Sequence, residues 1–597
     1  MRIDKKQLQP DRLAAILALL IVPAMAFILM EFYRRNPFAE IRTKALWFNI
    51  FLFELIGWLF FFVIGSVRFA LRLEIVLAMI YGIADTYVVK FRTNPIVPWD
   101  IYSLKTAASV ANNYDMTPDL RMIVVTILFV TLFAGLHFVK WKLPLFPINK
   151  KVLLQRLLPV LALALALNSF VGKLQDEEFQ TKNYLYPFLF TPAHMTKVNG
   201  MAVTFAMNLA YMSIDVPKGY EKEEAEALLF GYESSDTAGN SAANERPNII
   251  VIMDEAFSDM ASVGEFQASE DYMPFVHKLQ NGEENTITGN LQVSVCGGNT
   301  ANSEFEFLTG NTMAFLPQGS IPYQQYITKE LPAIPAYLKS LGYQTIATHP
   351  YYASGWERDE IYPLLGFERS IFIDEYEKTN KLRSYISDDA CVDKIIELYE
   401  AKEEDTPLFV FQVTMQNHGG YTEEYTNFKP DITVDGIDNI SVEQYLSLIK
   451  RSDAALEKLV SYFAEQEEKT LIVFFGDHQP NDAVAGPLLK LNGKRAADLT
   501  EEELQMRYEV PYVIWANYDI EETEADTSLN YLGARVLELA DIPLPAYQSF
   551  LMELSKTYPI VSAMQVQKAD GTKGSVKDEK EGLLDYQKLQ YYQLFEE

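Results

Sequence analysis

Cysteine is nearly absent from this chain: two residues in 597, Cys296 and Cys391. That scarcity excludes the disulfide framework that holds small secreted domains together, so any large folded part must rely on an apolar core, which its length allows. A Cys296–Cys391 bridge is the one pairing open, and the crowded turn around Cys296 argues against it. As a nucleophile Cys296 is poorly served, because no basic or imidazole neighbour in the local sequence lowers its pKa. Histidine is scarce too, at six residues. Positive charge is short, 51 Lys+Arg against 80 Asp+Glu, for a net charge of −29.

The deficit is unevenly spread. Up to residue 175 there are 20 Lys+Arg and 10 Asp+Glu; the remainder holds 31 and 70. A net −39 after residue 175 does not suit an electrostatic search for a polyanion, nucleic acid included; it suggests reliance on membrane tethering and cations. The first 175 residues read as membrane. Five apolar stretches approach or exceed the ~20 residues a spanning helix needs: 13–30, 45–65, 69–89, 122–139 and 152–171. The first follows a basic N-terminus but is no secretory signal, since four more stretches come after it. Arg2, Lys5, Lys6 and Arg12, then Arg68, then Lys140, Lys142, Lys150, Lys151 and Arg156 fall on one side of a five-span arrangement. That side is read as cytoplasmic, which puts the rest of the chain outside. Arg34, Arg35, Arg42 and Lys44, with Lys90, Arg92, Lys105 and Arg121, oppose this bias and leave it slight. Glu54, Arg72, Glu74 and Asp85 in or near the spans fit snorkelling or internal pairing better than headgroup handling.

Residues 176–246 read as a juxtamembrane connector. Segments 184–189 and 203–212 are apolar enough to lie along a bilayer, and 234–245 has the Ser, Ala, Gly and Asn of a flexible linker. A small-residue stretch at 206–210 is the candidate for cleavage after the spans. From 247 to 555 an α/β pattern repeats. Buried strands are expected at 248–253, 343–348, 408–414, 470–475 and 512–515, and helices at 334–341, 388–400 and 442–468. The alternation argues for a doubly wound sheet. Residues 556–597 read as a partly disordered tail with a short helix near its end.

In such sheets, ligands bind beyond the carboxyl ends of the strands. The first strand runs into Asp254-Glu255, the second into His349, the third into Asn417-His418, and the fourth into Asp477-His478. Any one is unremarkable, since a lone histidine is usually a hydrogen-bonded structural residue; together they mark one edge. Thr300, in Cys-Gly-Gly-Asn-Thr-Ala-Asn-Ser-Glu-Phe, opens a helix-like run after a strand-like one. A hydroxyl there is either a plain helix cap or a nucleophile for phosphorus, favoured by backbone N–H groups and the helix dipole. Glu255, Asp477 and His478 offer two carboxylates and an imidazole to one divalent cation, with the Thr300 oxygen as a further ligand. That set suits Mn²⁺ or Mg²⁺ better than a thiolate-selecting metal, with Zn²⁺ still open. His349 and His418 would hydrogen-bond phosphoryl oxygens or move a proton. Trp356 and Arg358 offer an aromatic wall and a planar cation, against packing for the first and a surface ion pair with Asp359 or Glu360 for the second.

With these motifs on five spans, the chain resembles the lipoteichoic acid synthases, membrane phosphoglycerol transferases with a sulfatase/alkaline-phosphatase-like extracellular domain. The resemblance covers nearly the whole chain. It implies that Glu255, Thr300, Asp477 and His478 bind one catalytic metal, usually Mn²⁺, and that His349, Trp356, Arg358 and His418 contact glycerophosphate. The donor it implies is phosphatidylglycerol in the membrane, and the acceptor a glycolipid, a polyglycerolphosphate chain or another envelope glycan. Two positions depart from the family pattern: Asn299 stands where lysine is usual, and Tyr351 where an acid is expected. A true sulfatase would carry Cys/Ser-x-Pro-x-Arg, which the Cys296 segment lacks. A phosphoethanolamine transferase shares the plan and the threonine, but usually with several disulfides. A catalytically inactive scaffold would have no need of the intact metal set. The sequence sets no oligomeric state.

Overall fold

A computed structural model describes residues 10–596 except 93–94, 102–116, 144–149, 187–191, 213, 215, 233–245, 318–319, 378–379, 496–498 and 522–525. The expected linker at 234–245, the basic N-terminal residues before 10, Lys105 and residues 187–189 of the bilayer-surface segment lie outside the described residues. The chain divides into two compact units, the first reaching residue 213 and the second covering residues 214–597.

The first unit is helical. Among the described residues, four helices are long and apolar enough to cross a membrane: Arg12–Phe32, Thr43–Ile64, Leu120–Phe138 and Leu154–Gln175. The fifth expected span does form a helix, Val67–Arg92, but Arg68, Arg72, Glu74, Asp85, Lys90 and Arg92 take it out of that class. An odd number of crossings is therefore not given by composition. Several of its charges are paired inside the unit. Arg34 donates to Asp85 at 2.8 Å, Asp85 also accepts the Ile96 N–H at 2.7 Å, and Arg72 donates to the Phe133 carbonyl at 3.2 Å. The helix Met201–Asn208, taken from sequence as a bilayer-surface segment, is instead packed into this unit, with Met201, Val203, Ala206 and Met207 buried. Asn49 ties it down, donating to Asn199 O at 2.6 Å and accepting from Val203 N–H at 2.9 Å. A cut at 206–210 would have to unfold this helix first.

The second unit is built on an eight-stranded sheet. Its strands are β1 Asn248–Asp254, β2 Thr286–Gln292, β3 Gln344–Thr348, β4 Arg369–Ile371, β5 Leu408–Val413, β6 Thr470–Gly476, β7 Glu509–Ala516 and β8 Thr527–Ser528. Their order across the sheet is β8-β2-β7-β6-β1-β5-β3-β4. Every residue of β1 and β6 is buried, as expected of strands covered by helices on both faces. Ile249, Val251 and Met253 enter one core and Ile250 and Ile252 the other, following the two-residue side-chain period. The sheet is mixed: β7 runs antiparallel to both β6 and β2, and the remaining pairs are parallel. The doubly wound expectation thus holds for the β6-β1-β5-β3 centre and gives way at the β7 side.

The helices Asp388–Glu400 and Ile440–Ala464 form close to where periodicity puts them. Residues 556–597 are not a loose tail. They form a three-stranded sheet of Ile560–Val561, Val566–Gln567 and Lys573–Gly574, and the helix Leu584–Phe595. Tyr586, Leu589 and Leu594 are buried, and Gln590 bonds both the N–H and the carbonyl of Thr312 at 2.8 and 2.9 Å. Charge in 568–581 hid this packing, because the apolar contacts come from just beyond it.

One surface ion group yields a stability prediction. His277 sits between Asp259 and Asp271, which hold its imidazole protonated up to about 9. A histidine raised above its unfolded value of ~6.5 stabilises fully below that value, and the contribution disappears as pH rises through the folded value. His277→Gln should therefore cost about 1 kcal/mol at pH 6, the full shift being discounted for the ring's exposure. It should cost nothing above pH 9.5, as urea denaturation of the two proteins at both pH values would read.

Candidate active site

The carboxyl ends of four neighbouring parallel strands deliver most of the expected residues. In the register of β1 with β6, Asp254 lies opposite Gly476. The next residues, Glu255 and Asp477, are therefore brought side by side. The junction is tight: a Cβ at Gly476 would fall 1.9 Å from the Phe257 carbonyl oxygen, so only glycine fits there. Backbone N–H groups fix the carboxylate, Ala256 donating to Asp477 Oδ1 at 2.7 Å, while the Glu255 N–H donates to Thr414 Oγ1 at 3.0 Å. β5 continues to His418, and β3 to His349.

Glu255, Asp477 and His478 present one ligand atom each within 4.8 Å of one another, all three residues buried. His478 Nδ1–H donates to the Gln479 carbonyl at 2.9 Å, which leaves Nε2 as the lone-pair nitrogen facing the carboxylates. Nε2 lies 3.3 Å from Asp477 Oδ2 and 3.7 Å from Glu255 Oε1. Asp477 Oδ2 and His478 Nε2 are buried with no hydrogen-bond partner. Burial, and then the neighbouring Asp477 charge, push the Glu255 carboxyl well above the usual range. Two buried carboxylates and an orphaned imidazole nitrogen fit a divalent cation, which would relieve both the repulsion and the missing contacts.

Thr300 is the first residue of the helix Thr300–Thr309, not its cap; Asn299 occupies the cap position. The approach runs through Gly297, Gly298 and Asn299 at φ of +73°, +148° and +67°, a path that two glycines and an asparagine can take at low steric cost. It aims the Thr300 hydroxyl at Glu255 Oε2, 3.4 Å away. The hydroxyl does not occupy the cap position, and it stands next to Glu255, one of the three clustered residues. Cys296 remains a free thiol, as does Cys391. Arg507, distant in sequence, reaches Cys296 Sγ at 3.5 Å, yet burial dominates and pushes the thiol up.

His349 is neutral: burial first, then the Arg358 charge, hold it well below its usual value. Its Nδ1–H donates to Val413 O at 3.2 Å, and Nε2 accepts from Arg358 Nη1 at 3.1 Å. Arg358 is no surface residue. It is 2 % exposed, and its Nε and Nη2 are taken by Glu304, itself fully buried. Glu304 also accepts from Tyr362 at 2.8 Å and Tyr323 at 3.3 Å. Trp356 and Glu357, at φ of +58° and +59°, carry the backbone strain that sets Arg358 in place. The Trp356 ring is half-buried on the core, so packing and an open face coexist. His418 is partly buried, hydrogen-bonded to the Tyr385 hydroxyl at 3.1 Å, and pushed down to about 4 by burial and then by Arg383.

Sequence reading missed Glu304, Thr414 and Arg383. Glu304 carried a faint signal, one helical turn beyond Thr300; the other two carried none.

The cation fit makes a prediction free of any activity assay. Protein stripped with a chelator should gain thermal stability on adding Mn²⁺, Mg²⁺ or Zn²⁺, by about 2.7 kcal/mol at a hundredfold excess over Kd. Asp477→Asn should raise the stability of the stripped protein, by removing a buried like-charge contact, and lose most of the metal-induced gain. Differential scanning calorimetry reads both, and the ion giving the largest shift identifies the preferred metal.

Residues 247–542 match the family model described as Sulfatase. A protein of Rhizobium meliloti (strain 1021) assigned to cyclic β-1,2-glucan modification is 29 % identical over 394 residues, 64 % of this chain and 59 % of that protein. A lipoteichoic acid synthase of Staphylococcus aureus (strain USA300) is 25 % identical over 244 residues, 39 % of this chain and 36 % of that one. The matches thus span less than two-thirds of either relative. Among solved structures, the Streptococcus pyogenes phosphoglycerol transferase GacH in complex with sn-glycerol-1-phosphate superposes with a TM-score of 0.51 at 20 % identity, covering 64 % of this chain and 96 % of that one. Neisseria meningitidis lipooligosaccharide phosphoethanolamine transferase A gives 0.54 at 15 % identity, covering 88 % and 95 %. These two establish the fold; the second extends the likeness to the helical part. The similarity to lipoteichoic acid synthases drawn from the motifs stands, over 39 % of this chain in sequence rather than nearly all of it.

Proposed function

We propose that this sulfatase-family domain, carried by a helical membrane anchor, is a phosphotransferase that moves glycerophosphate from phosphatidylglycerol to an envelope glycan through a Thr300-linked intermediate. The observation that carries the reading is the Thr300 hydroxyl at 3.4 Å from Glu255, beside the orphaned atoms of Asp477 and His478. Thr300 Oγ1 forms a bond to phosphorus as the ester bond to diacylglycerol breaks, and the threonine proton ends on the diacylglycerol hydroxyl. An acceptor hydroxyl then attacks the same phosphorus, the Thr300–phosphorus bond breaks, and the acceptor's proton returns to Thr300. A divalent cation held by Glu255, Asp477, His478 and the Thr300 oxygen, Mn²⁺ by family habit, would lower the hydroxyl pKa and screen phosphate charge.

His418, neutral near pH 7, can bind a phosphoryl oxygen or carry the proton between entering and leaving hydroxyls. His349, also neutral with its Nδ1–H held by Val413 O, can take up that proton only at Nε2, in exchange for its contact with Arg358. Arg358, clamped by Glu304 and donating through Nη1 to His349 Nε2 and the Gly355 carbonyl, acts by orienting His349. The open face of Trp356 is the remaining wall. A glycan acceptor is supported by the aromatic cluster of Tyr351, Tyr352 and Tyr385 beside His349 and His418, since sugar faces stack on such rings. The name of the Rhizobium relative supports the same acceptor class. The four apolar helices support a multi-pass protein of the cell membrane. With the helix Val67–Arg92 counted as a fifth crossing, the basic residues at 140–156 favour a cytoplasmic N-terminus and a catalytic domain outside.

The test uses full-length protein in detergent with a fluorescent-acyl phosphatidylglycerol and Mn²⁺, following diacylglycerol release. Metal-dependent release is expected. Release from phosphatidylethanolamine alone would move the assignment to phosphoethanolamine transfer, and silence with both lipids in a folded, metal-loaded sample would leave a non-catalytic scaffold.

A further inference from the structure

The guanidinium most available to an anion in this site is not the one the motifs single out. Arg358 is neutralised by Glu304, with two of its three nitrogens occupied there. Arg383 is 4 % exposed and has no ion pair among the described residues. Only its Nη2 is used, donating to the carbonyls of Gln416 at 2.7 Å and His418 at 2.6 Å; Nε and Nη1 are buried without a hydrogen-bond partner. Around the group stand Tyr385, Tyr421 and Tyr425, their ring centres 5.3–5.7 Å from the guanidinium carbon. An unneutralised buried charge with free donors costs several kcal/mol unless something completes it.

Its position says what that something is. Arg383 follows Leu382 at the tip of the hairpin Lys381–Leu382/Tyr385–Ile386, in the left-handed region at φ +57°. Asn427 braces the tip, donating to the Lys381 and Arg383 carbonyls at 3.2 and 2.9 Å. Strain held by such bracing is characteristic of functional positions. Arg383 is bonded to the His418 backbone, and the Tyr421 ring beside it feels the charges of Glu255 and Asp477. A cation with two unpartnered donors in a fixed fork, bonded to the backbone of His418, matches two oxygens of a phosphoryl group.

We infer that Arg383 is a substrate-binding residue that grips the phosphoryl oxygens of the donor headgroup through Nε and Nη1, with the tyrosine cage fixing its plane. This rests on the phosphotransferase reading but not on which headgroup is moved.

The experiment is calorimetric titration of the metal-loaded full-length protein, as wild type, Arg383→Lys and Arg383→Met, with inorganic phosphate, glycerol 1-phosphate and phosphoethanolamine. Arg383→Met should weaken all three probes by at least about tenfold, the loss of a charge-assisted hydrogen-bond pair, and Arg383→Lys by less. The metal-induced thermal shift should stay as in wild type in both variants. Unchanged phosphate binding in Arg383→Met overturns the inference and makes the guanidinium a structural partner of the tyrosines. Loss of the metal-induced shift together with phosphate binding in both variants overturns it as well. A wild type that prefers phosphoethanolamine, with Arg383→Met weakened equally for every probe, sinks the glycerophosphate reading and upholds Arg383. Wild-type protein that binds no phosphate probe overturns both.

Discussion

Thr300→Ala should lower diacylglycerol release from phosphatidylglycerol by at least about a thousandfold, since removing a covalent nucleophile leaves only what binding and electrostatics supply. The fold should hardly notice. The hydroxyl's one side-chain contact is the 3.4 Å approach to Glu255, and alanine suits the first turn of a helix. Denaturation midpoints of variant and wild type should therefore agree within about 0.5–1 kcal/mol, the range of a single weak hydrogen bond. Thr300→Ser keeps the oxygen and should retain measurable turnover. Without an acceptor, wild type and the serine variant should accumulate a phosphodiester adduct on residue 300, detectable by peptide mass spectrometry, and the alanine variant should not. Activity in Thr300→Ala at even a tenth of wild type would remove the covalent route and leave direct transfer in its place.

The site was legible where chemistry sits immediately beyond a strand buried on both faces. β1, β5 and β6 are largely apolar runs and β3 a short β-branched one, so their ends can be read to within a residue. Glu255, His349, Asp477 and His478 follow those ends closely, and His418 comes five residues after β5. The rest depended on partners distant in sequence. β2, with Gly289 and Asn290 in its middle, has neither alternation nor a solid apolar run, and its pairing with β7 replaces that signal. Nothing in β7 reveals its reversed direction, because a strand covered on both faces looks alike in either sense. Val67–Arg92 is long enough to span, but its charges find partners only through other helices, so length and composition give opposite answers. Arg383 falls in a short hairpin with no periodic pattern, and only the assembled fold shows that no acid among the described residues pairs with it.

Arg358 is the instructive case, because its partner Glu304 is 54 positions away while two acids adjoin it in sequence. Both groups of the actual pair are buried, and Glu304 is also the acceptor of Tyr323 and Tyr362. Breaking such a pair from one side leaves an uncompensated charge in the core, which costs about 3–5 kcal/mol. The two sides are not equivalent. A carboxyl left without its cation can take up a proton, whereas a guanidinium stays charged at any pH where the protein folds. Glu304→Gln should therefore be the more damaging substitution at pH 7, and Arg358→Met the milder one, with its cost shrinking as pH falls towards 5. The double variant should recover much of what Glu304→Gln loses, since no buried charge then remains. Chemical denaturation of the three proteins at pH 5 and 7 measures all of this. Because Arg358 Nη1 also holds His349 Nε2, both single variants should lose transfer activity even where they stay folded, and the double variant should regain stability without regaining activity. Equal costs for the two single variants at pH 7 would mean that water or a mobile side chain reaches Arg358, and that the clamp on His349 is looser than a fully enclosed ion pair can be.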